Sequence, residues 1–167
     1  MKILVTGANG QLGQDLMRVI VAAGDEAVGI DIDTVDITSR ETVHDALVTI
    51  HPDAVINCAA FTAVDACEDN AETAMLVNGT AVRWVTEASD AVGAHLVHVS
   101  TDYVFDGRVG QGYVEDGVRD PVNHYGLTKA RAEEYVEQMT TPWQIVRTSW
   151  LFGDGKVNFI KTIRRLL

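Results

Sequence analysis

Apolar residues fall in short runs separated by stretches of helical spacing, and the alternation continues almost to the end of the chain. The runs at residues 2–6, 26–31, 54–58, 95–100 and 144–149 read as strands. Their near-continuous apolar character predicts burial on both faces of a parallel sheet. Between them the spacing predicts helices over 11–23 and 39–50, a broken helical stretch over 64–92, and a helix over 125–139. This order predicts an α/β fold: a doubly wound parallel sheet with helices on both faces.

Local signals refine the boundaries. Thr38 followed by Glu41 has capping-box spacing and predicts a helix start just after it. Residues 102–122 contain four glycines, little helical periodicity and Pro121, which predicts a long loop of the kind that usually carries function. Val157, Ile160, Ile163 and Leu167 have helical spacing with no stop signal, so the sequence is expected to end inside an element of a longer protein.

With 167 residues, 47% hydrophobic and 22% charged, the whole chain, 1–167, fits one globular domain. A net charge of -11 argues against nucleic acid and anionic membrane as partners, and Arg164 with Arg165 is too small a basic cluster to reverse it. An anionic ligand must therefore be held by local groups. Cys58 and Cys67 lack CxxC spacing and read as reduced thiols; His44, His51, His95, His98 and His124 are scattered, so no metal site is expected. The N-terminal apolar run is too short for a signal peptide or a membrane span, and a cytoplasmic location is expected.

Gly7, Gly10 and Gly13 follow the first strand and run into the first helix. Glycines there allow a tight turn, close approach of backbone to a pyrophosphate and close helix–sheet packing, while the helix N-terminus offers free N–H groups. The spacing is GxxGxxG instead of the general GxGxxG. Asp31, about 24 residues after Gly7 at the end of the second strand, can accept a hydrogen bond from an adenosine ribose hydroxyl. A 2'-phosphate would meet negative charge there with no Arg or Lys beside it, which favours NAD(H) over NADP(H). The reading is an NAD(P)-binding Rossmann domain.

Tyr125 and Lys129 lie four apart and project from one helix face. Two readings are open: a packing or surface pair, or a phenol placed beside a cation so that it can give up a proton. A ketone reduced by hydride leaves an alkoxide that needs a proton donor, and an ammonium nearby would lower a phenol's pKa by about one to three units. Thr101, at a strand's carboxyl end, could hold the carbonyl oxygen. Asp102 and Tyr103 either contact substrate or order the loop. Trp84, Trp143 and Trp150 read as packing residues.

With these residues in view, the chain resembles the extended short-chain dehydrogenase/reductases, through TGxxGxxG and YxxxK. Within them it looks most like the dTDP-4-dehydrorhamnose reductases, through "AAFTAVD", "STDYVFDG" and "RTSWLFG". The resemblance implies catalytic roles for Tyr125, Lys129 and Thr101, with Lys129 also holding the cofactor's ribose hydroxyls. It implies a phosphate loop of Gly7, Asn9, Gly10, Gln11, Leu12 and Gly13, an adenine flanked by Asp36 and Ile37, and cofactor contacts at Ala59, Ala60 and Phe61. Asn78 matches a family Asn near the active site.

The activity implied is reduction of the C4 keto group of a dTDP-4-dehydro-6-deoxysugar by NAD(P)H, in dTDP-rhamnose biosynthesis. The family is usually nearly twice as long, so the C-terminal substrate-binding lobe is expected to lie outside this chain, which alone would have little activity. The family also includes magnesium-linked homodimers that use acidic residues. At one such position this chain has Gln14, with Asp15 beside it, which puts Mg2+ in doubt. Two other resemblances imply different functions: the non-catalytic, NADP(H)-binding regulatory subunit of methionine adenosyltransferase, and sugar-nucleotide epimerases or dehydratases.

Overall fold

The computed structural model describes residues 1–110, 112–153 and 158–167. Five strands, β1 (Lys2–Thr6), β2 (Glu26–Ile30), β3 (Ala54–Asn57), β4 (His95–Thr101) and β5 (Trp143–Thr148), form one parallel sheet in the order β2-β1-β3-β4-β5. The five strands are those the apolar runs predict, within a residue or two at each end. The helices are α1 (Gln11–Ala22), α2 (Arg40–Ile50), α3 (Val64–Asp69), α4 (Ala71–Met75), α5 (Ala81–Val92), α6 (His124–Val136) and α7 (Phe159–Leu166). The broken stretch at 64–92 resolves into α3, α4, a π-helical turn at Leu76–Thr80, and α5.

The chain leaves β1 toward β2 in one direction and then toward β3 in the other. Right-handed crossovers then place α1 on one face of the sheet and α2, α5 and α6 on the opposite face. Leu4, Val55 and Leu96 lie side by side in register and are 0% exposed under that second helical layer, with Leu47, Val82, Val85 and Val136. Burial on both faces, expected from the continuous apolar runs, holds less well toward β5. In β4 the residues Leu96, His98 and Ser100 are buried while Val97 and Val99 are only partly covered, and in β5 Trp143 and Val146 are exposed. Among the described residues, only one face of these strands carries a packed helical layer.

Capping also departs from expectation at α2. The cap is Ser39, whose hydroxyl accepts from the Thr42 amide at 3.4 Å; Thr38 is instead bound to the Asp36 carboxylate through both its amide and its hydroxyl. Trp150 was expected to pack, yet it is 73% exposed with a φ of 54° and makes an edge contact with Phe159. In the C-terminal helical spacing, Ile160 and Ile163 fall in α7, whereas Val157 lies outside the described residues.

Candidate active site

The direction reversal between β1 and β3 opens a crevice at the strands' carboxyl ends, where open α/β sheets bind ligands. The glycine turn fills one side of it. Gly7 has a φ of 66°, and a Cβ there would stand 2.8 Å from the Ala59 backbone. Its carbonyl accepts from the Gly10 amide at 2.9 Å, and a Cβ on Gly13 would lie 2.2 Å from that same oxygen. No side chain caps α1, so the first-turn amides of Gln11, Leu12 and Gly13 have no helical acceptor and suit a phosphate. A cradle that any Cβ would obstruct, opening onto free amides, fits the diphosphate of a dinucleotide.

Asp31 fastens this turn. Its carboxylate accepts from the amides of Asn9 and Ile32, both at 2.8 Å, and so ties the phosphate loop to the end of β2. Asp36 closes a local turn, and its hydrogen bonds from the Thr38 side chain and amide hold its carboxyl below the usual range. Ile37 packs in the core, which leaves its backbone and not its side chain for the adenine-flanking role.

Across the crevice run Ala59, Ala60 and Phe61. Asn78, in the π-helical turn and 0% exposed, pins them: its Oδ1 accepts from the Phe61 amide at 2.7 Å, and its Nδ2 donates to the Phe61 carbonyl and to Thr128 Oγ1. A widened helical turn re-aims a side chain in this way, and such turns recur at functional sites.

α6 brings the third wall. Asn123 caps it by accepting from the Gly126 amide at 2.7 Å. A Cβ at Gly126 would stand 2.1 Å from the Tyr103 carbonyl, so this glycine lets the helix start close to the end of β4. The Tyr125 and Tyr103 rings meet edge to face at 5.8 Å, and the Thr101 side chain lies close enough to the Tyr125 phenol to lower its pKa. Thr101 Oγ1 also lies 3.1 Å from the Asp102 carboxylate and accepts from the Tyr103 amide. Thr101, Tyr103 and Tyr125 therefore converge, and Asp102 is held in the turn beside them.

The electrostatics differ from the expectation. Burial pushes the Tyr125 phenol up, as does Cys67, and the nearby Thr101 hydroxyl is the influence that lowers it. Lys129 does not point at the phenol. It is 2% exposed, and its Nζ donates to the Val99 carbonyl at 2.7 Å and sits 3.2 Å from His98 Nε2. Burial lowers its pKa to about 8, with Glu133 and Cys58 acting the other way.

Two buried groups escaped the sequence reading. Thr6, Asn57 and His98 form a hydrogen-bonded row that ends on Lys129. Glu133, one turn beyond Lys129 and 0% exposed, accepts from Ser100, Arg119 and Arg147. The available signal was a polar residue closing or interrupting an apolar strand: "VT", "IN" and "VH" mark Thr6, Asn57 and His98.

An open cleft of about 560 Å³, lined by Ala8, Asn9, Gln14, Met17, Arg18 and Gly29, includes none of Thr101, Tyr125 or Lys129. It lies on the α1 side of the glycine turn. Among the described residues no His, Cys, Asp or Glu cluster could hold a metal ion. Asp15 is paired with Arg18, and Gln14 donates to the Asn9 carbonyl.

The sequence matches the family described as RmlD substrate binding domain over residues 1–167. It is 41% identical to the spore coat polysaccharide biosynthesis protein SpsK of Bacillus subtilis, over 99% of this chain and 58% of that protein. It is 43% identical to a dTDP-4-dehydrorhamnose reductase of Burkholderia thailandensis, over 99% of this chain and 55% of that protein. A crystal structure of dTDP-4-dehydrorhamnose reductase from Bacillus anthracis in complex with NADP superposes with a TM-score of 0.95 at 40% identity, covering 99% of this chain and 59% of that one. The chain thus spans little more than half the length of these relatives. With its parallel five-stranded sheet, glycine turn and YxxxK helix, it belongs to the RmlD substrate binding domain family, among the relatives of the dTDP-4-dehydrorhamnose reductases.

Proposed function

We propose that this chain is the nicotinamide-binding domain of a dTDP-4-dehydrorhamnose reductase acting in the cytoplasm. The reaction is reduction of the C4 ketone of dTDP-4-dehydro-6-deoxy-L-mannose to the alcohol. The observation that carries this reading is the convergence of Thr101 and Tyr125 beside the Gly7–Gly13 cradle, at the carboxyl end of a parallel sheet. The bound cofactor supplies the hydride. The residues of this chain do the rest: first-turn amides of α1 hold the diphosphate, Asp31 and Lys129 take the ribose hydroxyls, Thr101 holds the ketone oxygen, and Tyr125 gives that oxygen its proton. A phenol kept protonated by burial is a donor that arrives loaded at neutral pH.

Asp31 favours NADH, because its carboxylate would face a 2'-phosphate and, among the described residues, the cation beside the glycine turn, Arg18, is paired with Asp15. Recognition of the sugar nucleotide belongs to a further lobe outside residues 1–167. The test is oxidation of NADH and of NADPH with dTDP-4-dehydrorhamnose by the protein in its full natural length, wild type against Tyr125→Phe. Equal rates in the two would remove Tyr125 from the mechanism, and no turnover with either cofactor would remove the function.

A further inference from the structure

Thr6, Asn57 and His98 are register partners on three adjacent parallel strands, and each is 0% exposed. They lie two residues beyond the apolar row Leu4, Val55 and Leu96, on the same helix-covered face. Polar side chains buried there must satisfy one another. Thr6 Oγ1 donates to Asn57 Oδ1 at 2.5 Å, Asn57 Nδ2 lies 3.1 Å from His98 Nδ1, and His98 Nε2 lies 3.2 Å from Lys129 Nζ. Thr6 Oγ1 also accepts from the Ala59 amide at 3.3 Å, so the row ends at the backbone that faces Gly7.

Counting donors along this row gives two settings. With Asn57 Nδ2 donating, His98 Nδ1 is an acceptor, and the neutral imidazole carries its proton on Nε2. That N–H faces Nζ and is satisfied when Lys129 is an amine with a lone pair. An ammonium requires the reverse: Nζ donates to Nε2, the Nδ1–H donates to Asn57 Oδ1, and the turned amide donates to Thr6 Oγ1, whose own O–H gives up Asn57 as its acceptor. The ammonium setting holds one proton more, on Nζ. The imidazole is neutral in both, and its single proton changes nitrogen. The bond from Nζ to the Val99 carbonyl persists in both settings.

We propose that Thr6, Asn57 and His98 form a positioning relay that couples the orientation of the Asn57 amide and the tautomer of His98 to the protonation of Lys129. The charge of Lys129, to which the proposed function gives the ribose hydroxyls, is then set by hydrogen-bond geometry three strands deep, not by Tyr125. Burial supports the two settings: it keeps His98 neutral, with the Lys129 charge acting in the same direction, and it brings Lys129 to about 8. The other titratable groups acting on Lys129 are Glu133 on its own helix and Cys58 after β3. The relay's relevance to catalysis rests on the function proposed above; its existence does not.

The experiment is ¹⁵N NMR of histidine and lysine side chains in the 167-residue chain across pH, with the Lys129 signal assigned by its loss in Lys129→Met. In the wild type, His98 should carry its proton on Nδ1 below the Lys129 midpoint and on Nε2 above it, both changes sharing one midpoint. Asn57→Asp is isosteric and offers acceptors only, so it should hold Nδ1–H at every pH and raise the Lys129 midpoint by about one unit or more. A His98 tautomer that stays fixed while Lys129 titrates overturns the relay, and so does an unmoved Lys129 midpoint in Asn57→Asp. The wild-type measurement decides the matter even where that variant does not fold. No substrate is present, so a full-length protein that reduces no ketone would strike the proposed function and leave the relay standing. A fixed His98 tautomer would do the reverse.

Discussion

Glu133→Gln removes one negative charge from the most buried ionic cluster among the described residues and changes its volume hardly at all. The carboxylate accepts from Ser100 Oγ at 2.6 Å, from Arg147 at 2.9 and 2.7 Å, and from Arg119 at 3.0 Å. These bonds outweigh the burial that would raise it, and its pKa lies below the ordinary value of 4.5. Breaking a fully buried pair costs about 3–5 kcal/mol. Here the Arg119 and Arg147 side chains are 23% and 19% exposed, so water recovers part of their hydration and we expect about 2–4 kcal/mol. Because the folded pKa is depressed, the contribution is whole above the unfolded value and is lost as pH falls through the folded one. Urea unfolding of the chain and of Glu133→Gln at neutral and acid pH measures this, with Glu137→Gln as the comparison. Glu137 pairs with Arg119 at 2.8 Å but its side chain is 40% exposed, so that loss should stay below about 1 kcal/mol. Equal losses in the two variants, or a Glu133→Gln deficit that persists undiminished at acid pH, would refute the reasoning.

In the full-length protein Tyr125→Phe should lower kcat by roughly 10²- to 10⁴-fold with NADH affinity unchanged, measured by steady-state rates and fluorescence titration. The alkaline limb of kcat/KM should follow Lys129, near 8, because burial keeps Tyr125 protonated above its ordinary value; a limb above 10 would contradict this. Gly13→Ala, whose Cβ would meet the Gly7 carbonyl at 2.2 Å, should weaken NADH binding at least about tenfold. Gly24→Ala has a φ of 85° but meets nothing within 4 Å, so it should cost about 1 kcal/mol of stability and leave NADH binding alone. Asn78→Leu should release Phe61 and weaken cofactor binding, because one amide side chain makes two hydrogen bonds to Phe61 and is itself anchored on Thr128.

The sheet was legible in the sequence because parallel strands buried in a doubly wound fold leave continuous apolar runs, and helices between them leave 3.6-residue spacing. Glycine positions were legible for a related reason: Gly7 and Gly13 stand where a Cβ would strike backbone. Long-range polar contacts were not. Asn57 and His98 are 41 residues apart, and Ser100 and Glu133 are 33 apart, distances at which neither periodicity nor local motif carries information. The capping-box spacing at Thr38 misled by one residue, because Asp36 captured the Thr38 hydroxyl and left Ser39 to cap α2.

α6 shows why the YxxxK motif alone was ambiguous. Tyr125, Lys129 and Glu133 are spaced i, i+4 and i+8, so they form one stripe down the helix, and that stripe faces the sheet. An ordinary amphipathic helix would put apolar side chains there, and its pattern would mark the inner face. In α6 most of the inner face is instead phenol, ammonium and carboxylate, with Thr128 and Ala130 filling the space between and Ala132 and Val136 reaching the apolar core, and each ionic group has a partner waiting on β4 or β5. The helix therefore docks largely through polar bonds that need the strand ends already in register. Its sequence reads as a solvated helix because its buried face is complementary to a particular sheet edge and not to oil. One consequence separates this view from a surface pair: Lys129 should be protected from amine-reactive reagents in the folded chain, where Lys2 reacts, and rapid labelling of Lys129 would show that α6 does not dock in this way.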